Sequence, residues 1–463
     1  MIGEVVEHPQ YGRGQVVAAY RNGSEWMVRF ESGLRFRRPR QEFVGEGDIA
    51  PTKSVVPPLL NLPPPMTQTQ FEARQLIEAL RFGVAPAQHA REFTIGLEAE
   101  RASVSTALNE AHQEGGGVRA VLGEYGFGKS HIVELTAQEA LARNFLVATV
   151  SLDLLELPPH RPFDIYSALM RNVRYPDSDE RGLGPLLERA SSGRNLLAPL
   201  RDLAPTGLDP LMMALEAFGA TSSVRQRAAW QQWLMGGRRV TLMNKATPRG
   251  IKFPSIYRVG HNARQITYLL TAISTLARLA NYSGLCILID EAESYSLLGV
   301  QQRPKANLFF KAMILAALRH RQSRITPDEL PQHRYREYPA FYDAGQSLFF
   351  LFTITHSENQ LPLNAWLDPE HVILLNPHHT PQEIGQFLQQ LQGYHAHAYG
   401  YEPGERQGQV RRAASELLAQ GLRNDRLSLR GLVRLSVELY DLLYLYPGYE
   451  SALLLDELRA QMR

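Results

Sequence analysis

The sequence predicts an α/β protein whose parallel sheet has helices on both faces, with a small all-β module in front and a helical lid behind. Apolar strand-like runs alternate with segments of helical period from about residue 93 onward. A glycine-rich loop joins one of these strands to a helix, and the first 44 residues alternate with a period of two. Because helices that connect parallel strands must cross the sheet, this order predicts a doubly covered parallel sheet.

Composition excludes several classes of protein. Hydrophobic residues make up 44% and charged residues 21% of the 463 residues, which is typical of globular chains and excludes global disorder. The formal net charge is only +2, so any nucleic-acid site must be a local patch. Cys286 is the single cysteine, which excludes intrachain disulfides and favours a reducing compartment. The N-terminus lacks the apolar core of a signal peptide, and no run approaches a membrane span, so we expect a cytoplasmic protein without membrane contact.

The chain divides into four segments by composition. Residues 1–44 form the β module, in which Trp26, Val28 and Phe30 share one face. Residues 45–67 are a linker whose prolines forbid helix and favour an extended spacer. The α/β core is predicted over 68–376, with a helical insertion around 160–260, and the lid over 377–463.

The predicted elements follow from apolar periodicity. Helices are predicted at 68–82, 98–112, 128–143, 261–281, 304–321, 381–396, 406–420 and 428–445, with a mostly helical stretch at 163–235. Strands are predicted at 118–123, 145–152, 285–290, 347–355 and 372–375.

The glycine-rich loop fits the phosphate-binding pattern G-x-x-x-x-G-K-[ST]. It consists of Gly123, Glu124, Tyr125, Gly126, Phe127, Gly128, Lys129 and Ser130. Glycines let several backbone N–H groups turn inward towards a phosphate, Lys129 reaches its oxygens, and the Ser130 hydroxyl binds Mg²⁺. Since an apolar strand precedes the loop and a helix follows it, we prefer this interpretation to a chance glycine-rich turn.

Two carboxylates end another apolar run. Asp290 and Glu291 follow a strand that is predicted to be buried on both faces, at the edge where α/β sheets bind ligands. Asp290 can hold Mg²⁺ and Glu291 can polarise an attacking water. A strand that ends in two solvated acids is the alternative, and Glu293 is a third carboxylate nearby.

Two further segments offer polar groups. Thr355 or His356, at the end of the strand 347–355, could sense a γ-phosphate, and Thr353 points to the same face as Thr355. Local hydrogen bonds at the strand end explain them equally well. Arg430 lies on the first turn of a helix that Ser428 caps, where it either reaches the nucleotide or is solvated.

These residues together resemble the AAA+ ATPases, and within them the ATP-binding proteins of BREX-type bacteriophage-defence systems. The segments that carry the resemblance are FTIGLEAE at 93–100, GEYGFGKS at 123–130, AAWQQWLMGG at 228–237, LCILIDEAE at 285–293, LFFLFTITHSE at 348–358 and LSLRGLVRL at 427–435. The resemblance implies ATP and Mg²⁺ as ligands, metal binding by Ser130 and Asp290, and hydrolysis by Glu291 with Lys129. It further implies Thr355 or His356 as a first sensor and Arg430 as a second.

Other nucleotide contacts and one departure follow from the same resemblance. Ile95 and Gly96 are expected near the adenine, and His131 directly follows the phosphate loop. Ring-forming AAA+ proteins usually carry an arginine finger after the sensor strand, but residues 357–371 contain no arginine. Arg319, Arg321 and Arg324 are possible substitutes, so a hexameric motor and a switch-like ATPase both remain open.

The front module resembles the SH3/Tudor-like barrels of CarD-type transcription factors. Its basic cluster contains Arg35, Arg37, Arg38 and Arg40, with Phe36 among them. These side chains either meet phosphate or form a solvated strand face.

The resemblance therefore implies an ATPase of a phage-defence system that acts on or senses foreign DNA. The expected partners are other defence proteins such as a helicase or nuclease, DNA, and further copies of the chain. Two alternatives remain: a nucleotide-controlled scaffold with incidental hydrolysis, and a transcription regulator that acts through the front module.

Overall fold

The computed structural model divides the chain into two compact units, Met1–Thr67 and Gln68–Arg463. It describes residues 2–9, 11–31, 35–45, 66–83, 86–191, 210–236, 263–319, 323–332, 341–342, 345–357, 360–375, 379–424, 426–448 and 450–461. Most of the predicted linker, residues 46–65, lies outside this set.

The N-terminal unit is a five-stranded antiparallel sheet. Its strands are Val5–His8 (β1), Gly12–Tyr20 (β2), Glu25–Phe30 (β3), Arg35–Pro39 (β4) and Val44–Gly45 (β5). They lie in the order β4-β3-β2-β1-β5, so that β4 and β5 are edge strands. The predicted face is observed, because Trp26, Val28 and Phe30 are buried together with Val6, Val16 and Phe43. The predicted SH3-like barrel is not confirmed.

The second unit is mixed α/β and is built on a six-stranded sheet. Its strands are Gly116–Leu122 (β6), Phe145–Ser151 (β7), Val173–Arg174 (β8), Gly284–Asp290 (β9), Leu348–Ile354 (β10) and Val372–Leu374 (β11). The order is β11-β6-β10-β9-β7-β8, and only β8 pairs antiparallel with its neighbour. The short strand β8 is absent from the sequence prediction, since two residues leave no period to detect.

Alternate residues of these strands enter two separate cores. Ile287 and Phe350 pack on one face of the sheet, whereas Cys286 and Phe349 pack on the other. The helices of the sheet region are Glu98–Glu114 (α2), Lys129–Ala142 (α3), Pro162–Arg171 (α4), Gly184–Ser191 (α5), Pro210–Ala220 (α6), Val224–Leu234 (α7), Ala263–Leu279 (α8), Arg303–Leu318 (α9) and Leu363–Trp366 (α10). Helices α2 and α3 cover one face, and α4, α8 and α9 cover the other. Helices therefore lie on both faces, as predicted.

Parts of the predicted helical insertion fall outside the described residues, namely 192–209 and 237–262. The described part contributes α6 and α7, whose Trp230 and Trp233 are buried. Both side chains pack into the same core as α4 and α8, and their rings meet each other edge to face with centroids 5.9 Å apart.

A separate helical core forms from the two ends of the second unit. Gln68–Arg81 (α1) packs with Pro381–Tyr399 (α11), Glu405–Arg423 (α12), Leu429–Leu445 (α13) and Ser451–Gln461 (α14). The sequence prediction grouped 68–82 with the sheet, but the buried residues of α1 belong to this helical core. Helix α14 was not predicted.

The carboxyl ends of the parallel strands gather at one edge of the sheet. Strands β6 and β10 are neighbours in the sheet. From β6 the chain continues to β7, towards one edge of the sheet, whereas from β10 it continues to β11, at the opposite edge. The direction of the connections therefore reverses between β6 and β10. Ligands bind at such switch points in open α/β sheets. Within the described part of the chain, no helix is both long and apolar enough to cross a membrane.

Candidate functional site

The glycine-rich loop leads from β6 into α3 with the backbone that its sequence requires. Gly126 and Gly128 have φ of +86° and +88°, a region that other residues avoid. The side chain of Lys129 is buried, and its Nζ donates hydrogen bonds to the carbonyls of Gly123 and Glu124, both at 3.1 Å. The ammonium is therefore held over the loop, at the N-terminal end of α3, where an anion is stabilised.

Asp290 ends strand β9 beside this loop. Its Oδ1 accepts a hydrogen bond from the Thr353 hydroxyl at 2.5 Å and another from the Glu291 N–H at 3.0 Å. Thr353 is fully buried on the adjacent strand β10, so it fixes the carboxylate from the side of the sheet.

Glu291 has a left-handed backbone conformation, with φ +56° and ψ +35°. In this conformation the backbone turns out of the strand direction directly after Asp290. The Glu291 Oε2 accepts a hydrogen bond of 2.6 Å from the hydroxyl of Ser151, the last residue of β7. Because Ser151 and Asp290 are register partners, neighbouring strands deliver both groups to one place.

Glu293 links the loop lysine to the strand β10. Its Oε1 lies 4.0 Å from Lys129 Nζ and accepts a hydrogen bond of 3.0 Å from Thr355. Thr355 therefore acts on the site through Glu293. His356 follows it on the surface and does not line the cavity described next.

These groups surround a cavity of about 450 Å³. Its polar wall contains Lys129, Ser130, Asp290, Glu291 and Glu293. The remaining wall is largely apolar or aromatic and comes from Leu80, Ala90, Phe93, Ile95, Leu97, Tyr125, Phe127, Leu429 and Val433. The cavity wall thus combines charged groups with apolar and aromatic ones, as a nucleotide requires.

His131 is the third residue of α3, two positions after Lys129, and its side chain lines the cavity. Its Nε2 lies 3.0 Å from the Thr94 hydroxyl, which donates a 2.7 Å hydrogen bond to the carbonyl of Ala90. Burial lowers the pKa of His131 to about 4, so the ring is neutral near pH 7.

Arg430 brings the C-terminal helices to the phosphate loop. Its Nη1 donates to the hydroxyl of Tyr125 at 3.3 Å, and the Tyr125 side chain is otherwise exposed. Ser428 caps α13 by accepting the Gly431 N–H at 3.1 Å, as predicted. A Cβ on Gly83, just after α1, would lie 2.3 Å from Arg430 Cγ, so α1 and α13 approach closely here.

The oxygen atoms present suit a small divalent cation. The Oδ1 of Asp290 is engaged by two donors, whereas no described donor hydrogen-bonds its Oδ2 or the Ser130 hydroxyl. On the described cavity wall, Glu134, Asp290, Glu291 and Glu293 outnumber Lys129 and Arg430. Because carboxylates repel a triphosphate, a bound polyanion needs a cation at this end, and Mg²⁺ prefers such oxygen ligands.

Residues 69–190 match the family model of the BREX system ATP-binding protein BrxC/D. The match contains the phosphate loop and ends before Asp290. No curated protein matches the chain. Among solved structures, the chain is similar to a Walker-type ATPase of Pyrococcus abyssi at 14% identity, over 79% of this chain and 72% of that one, with a TM-score of 0.33.

The structure brings most of the predicted site residues to the cavity. Those that line it are Ile95, Tyr125, Gly126, Phe127, Gly128, Lys129, Ser130, His131, Asp290, Glu291 and Arg430. Gly123 and Glu124, the first two residues of the loop, do not line the cavity, but their carbonyls accept the hydrogen bonds of Lys129. Gly96 is not on the wall: it faces His379 and Glu383, each about 3.2 Å from where its Cβ would be.

The candidate arginine fingers are engaged away from the cavity or are not described. Arg319 Nη1 donates to the Glu114 carbonyl at 2.8 Å, and Arg324 is paired with Asp368. Arg321 lies outside the described residues. Neither described arginine lines the cavity.

Sequence reasoning missed Ser151 and Thr94 as parts of this site. Like Asp290, Ser151 is a polar residue that ends an otherwise apolar strand. Serine is too common at strand ends to be singled out by this pattern. Thr94 gives no signal of its own, since its role depends on a contact with His131, 37 residues away in the chain.

Proposed function

We propose that the chain binds and hydrolyses ATP with Mg²⁺ in the cavity between the sheet edge and α13. The observation that carries this proposal is the convergence of Lys129, Asp290 and Glu291 from two strand ends on one cavity. The family match over the phosphate loop supports it, because that family is described as ATP-binding.

Each side chain has a role that its position suits. Lys129 and the loop N–H groups hold the β- and γ-phosphates, and Lys129 neutralises charge that develops on the transferred group. Glu291, fixed by Ser151, orients the attacking water and accepts its proton. Arg430 reaches the nucleotide from α13, where its movement would carry the state of the site into the C-terminal helices.

Mg²⁺ fits Asp290 Oδ2 and the Ser130 hydroxyl, which take no hydrogen bond from the described part of the chain. Bound there, it would screen the phosphate charge and stabilise the leaving group. Thr353 keeps the Asp290 carboxylate in one orientation, so the protein contributes a fixed ligand.

The family match supports a proposal about the wider role. We propose a component of a BREX-like defence system that works with other proteins of that system, such as a helicase or nuclease, and that acts on or senses foreign DNA. The exposed arginines of β4 are the candidate contacts for DNA or for a protein partner. Self-association remains part of this proposal.

The experiment is a phosphate-release assay on the full chain, with ATP, Mg²⁺ and double-stranded DNA titrated separately. Turnover that requires ATP and Mg²⁺ supports the ATPase, and its rise with DNA supports the DNA-sensing role. ATP binding without turnover under every condition contradicts the hydrolase proposal.

A nucleotide-controlled scaffold is the second candidate. It is favoured by the contacts of Arg319 and Arg324, the candidate arginine fingers, with partners outside the cavity. Among the described residues, Arg430 is therefore the one arginine on the cavity wall. Mass photometry with and without ATP distinguishes the two: assembly on ATP binding with no turnover indicates a scaffold, and turnover indicates the ATPase.

A further inference from the structure

We propose that His131 selects the base of the nucleotide, by accepting a hydrogen bond from the 6-amino group of adenine at its Nδ1. The proposal rests on the nucleotide site proposed above and adds its base specificity. Purines with an oxygen at position 6 are then disfavoured, because their oxygen would face the lone pair of Nδ1.

Thr94 determines which ring nitrogen carries the hydrogen. A threonine hydroxyl has one hydrogen, and two neighbours lie within bonding distance: the Ala90 carbonyl at 2.7 Å and His131 Nε2 at 3.0 Å. A carbonyl can only accept, whereas an imidazole nitrogen can donate. All three groups are satisfied only when Thr94 donates to Ala90 and His131 Nε2–H donates to Thr94. This assignment leaves Nδ1 as an acceptor.

The ring lies where the base is expected. Lys129 and the carboxylates mark the phosphate end of the cavity, so the nucleoside must extend along the rest of its wall. His131 belongs to that wall, and Thr94 ties it to the segment that contributes Phe93, Ile95 and Leu97. Among the described residues no hydrogen bond is made to Nδ1, so its lone pair remains for a ligand.

Inosine triphosphate is the sharpest probe of this contact. It has the same ribose and phosphates as ATP and carries an oxygen in place of the 6-amino group. A site that presents a fixed acceptor should bind ATP about tenfold more tightly, since one hydrogen bond is lost and two acceptors are brought together.

Thr94→Val tests the inferred tautomer directly. Without the hydroxyl, the hydrogen is free to move to Nδ1, which can then donate to the oxygen of inosine. We expect the preference for ATP to fall to about threefold or less, mainly through tighter binding of inosine triphosphate. Thr106→Val is the matched control, because Thr106 makes the same hydroxyl bond to the carbonyl four residues back, at 3.0 Å, without a histidine.

The measurement is equilibrium competition of ATP and inosine triphosphate against a fluorescent ATP analogue, on the full chain with Mg²⁺. His131→Leu should also abolish the preference, and adding Thr94→Val to it should have no further effect. An unchanged ATP preference in Thr94→Val and His131→Leu, with melting temperatures as in the wild type, overturns the proposal. Equal binding of both nucleotides by the wild type also overturns it. If neither nucleotide binds the wild type, the proposed function itself fails.

Discussion

Glu291 receives its position from two different strands. Its backbone N–H donates to Asp290 and lies 3.1 Å from the Thr353 hydroxyl, while its carboxylate accepts a bond from Ser151. A group held in this way needs little reorganisation before it acts on water. We therefore expect this side chain to determine the rate of hydrolysis rather than the affinity for the nucleotide.

Glu291→Gln should lower kcat at least about a hundredfold and leave ATP affinity within a few fold. The amide keeps the size of the side chain but cannot accept a proton from water. Single-turnover phosphate release together with a binding titration checks this. Turnover at the wild-type rate would assign the base to another residue.

Ser151→Ala should lower kcat about three- to tenfold with KM unchanged, because the Glu291 carboxylate loses one of its anchors. Ser296→Ala is the control, since Ser296 donates within the next turn, to the Glu293 carbonyl, and leaves Glu291 untouched. Steady-state kinetics separates the two parameters. A KM effect alone, or equal effects of both variants, contradicts a positioning role for Ser151.

At the residue level, the sequence predicts which side chains carry the proposed chemistry better than it predicts which side chains hold them in place. Lys129, Asp290 and Glu291 stand out because each follows a strand in a recognisable local pattern. Ser151 and Thr353 reach the carboxylates from 140 and 63 residues away, through a strand order that no local pattern contains. Their roles become visible only when the register of the sheet is known.

At the scale of elements, α1 and α13 meet at the edge of the cavity. Arg81 of α1 forms an ion pair with Asp441 of α13, and Gly83 lies against Arg430. Asp441 also accepts from the buried His395 of α11 at 3.0 Å, so three helices share one polar contact. The position of Arg430 therefore depends on α1 as well as on its own helix.

Gly83→Ala should destabilise the protein by about 1–3 kcal/mol and weaken ATP binding. Its φ of +73° disfavours a side chain, and the new Cβ would lie 2.8 Å from the Arg430 carbonyl, so α13 must shift. Gly400→Ala is the matched control, with φ +70° and nothing within 4 Å of its Cβ. Thermal unfolding and ATP titration of both variants check this. Equal effects would show that only backbone strain matters.

The elements themselves were largely predictable, and the exceptions have physical reasons. Strand β6 begins at Gly116, earlier than the predicted 118, because glycine there indicates a loop by sequence alone. In the structure a Cβ at Gly116 or Gly117 would lie 2.0 or 2.2 Å from carbonyls of the covering helices. Close packing against these carbonyls therefore requires glycine at both positions, although glycine by its local propensity indicates a turn.

At the scale of the whole molecule, the described wall of the cavity belongs to the second unit. The described residues of the cavity wall all come from positions 80–433. The N-terminal sheet carries a basic edge, where Arg35 is opposite Arg29 in the register of β3 and β4. Like charges placed opposite each other on neighbouring strands cost stability.

Removal of residues 1–44 should leave basal ATP turnover within about twofold, since no group of the cavity is lost. Binding of the partner should fall. If the partner is DNA, neutralising Arg35, Arg37, Arg38 and Arg40 should also flatten the dependence of binding on salt, because fewer counterions are released. Filter binding over a salt series measures this. Loss of turnover in a folded truncation would place a catalytic contribution in the N-terminal unit.

We expect ATP binding at the cavity to depend on Lys129. Isothermal titration of the full chain with ATP and Mg²⁺ should give saturable binding that Lys129→Ala weakens at least about tenfold, because the variant removes a charged donor to the phosphates. Lys305→Ala, a lysine of α9 that does not line the cavity, should bind ATP as the wild type does. Wild-type ATP affinity in Lys129→Ala would contradict the site and the function proposed for it.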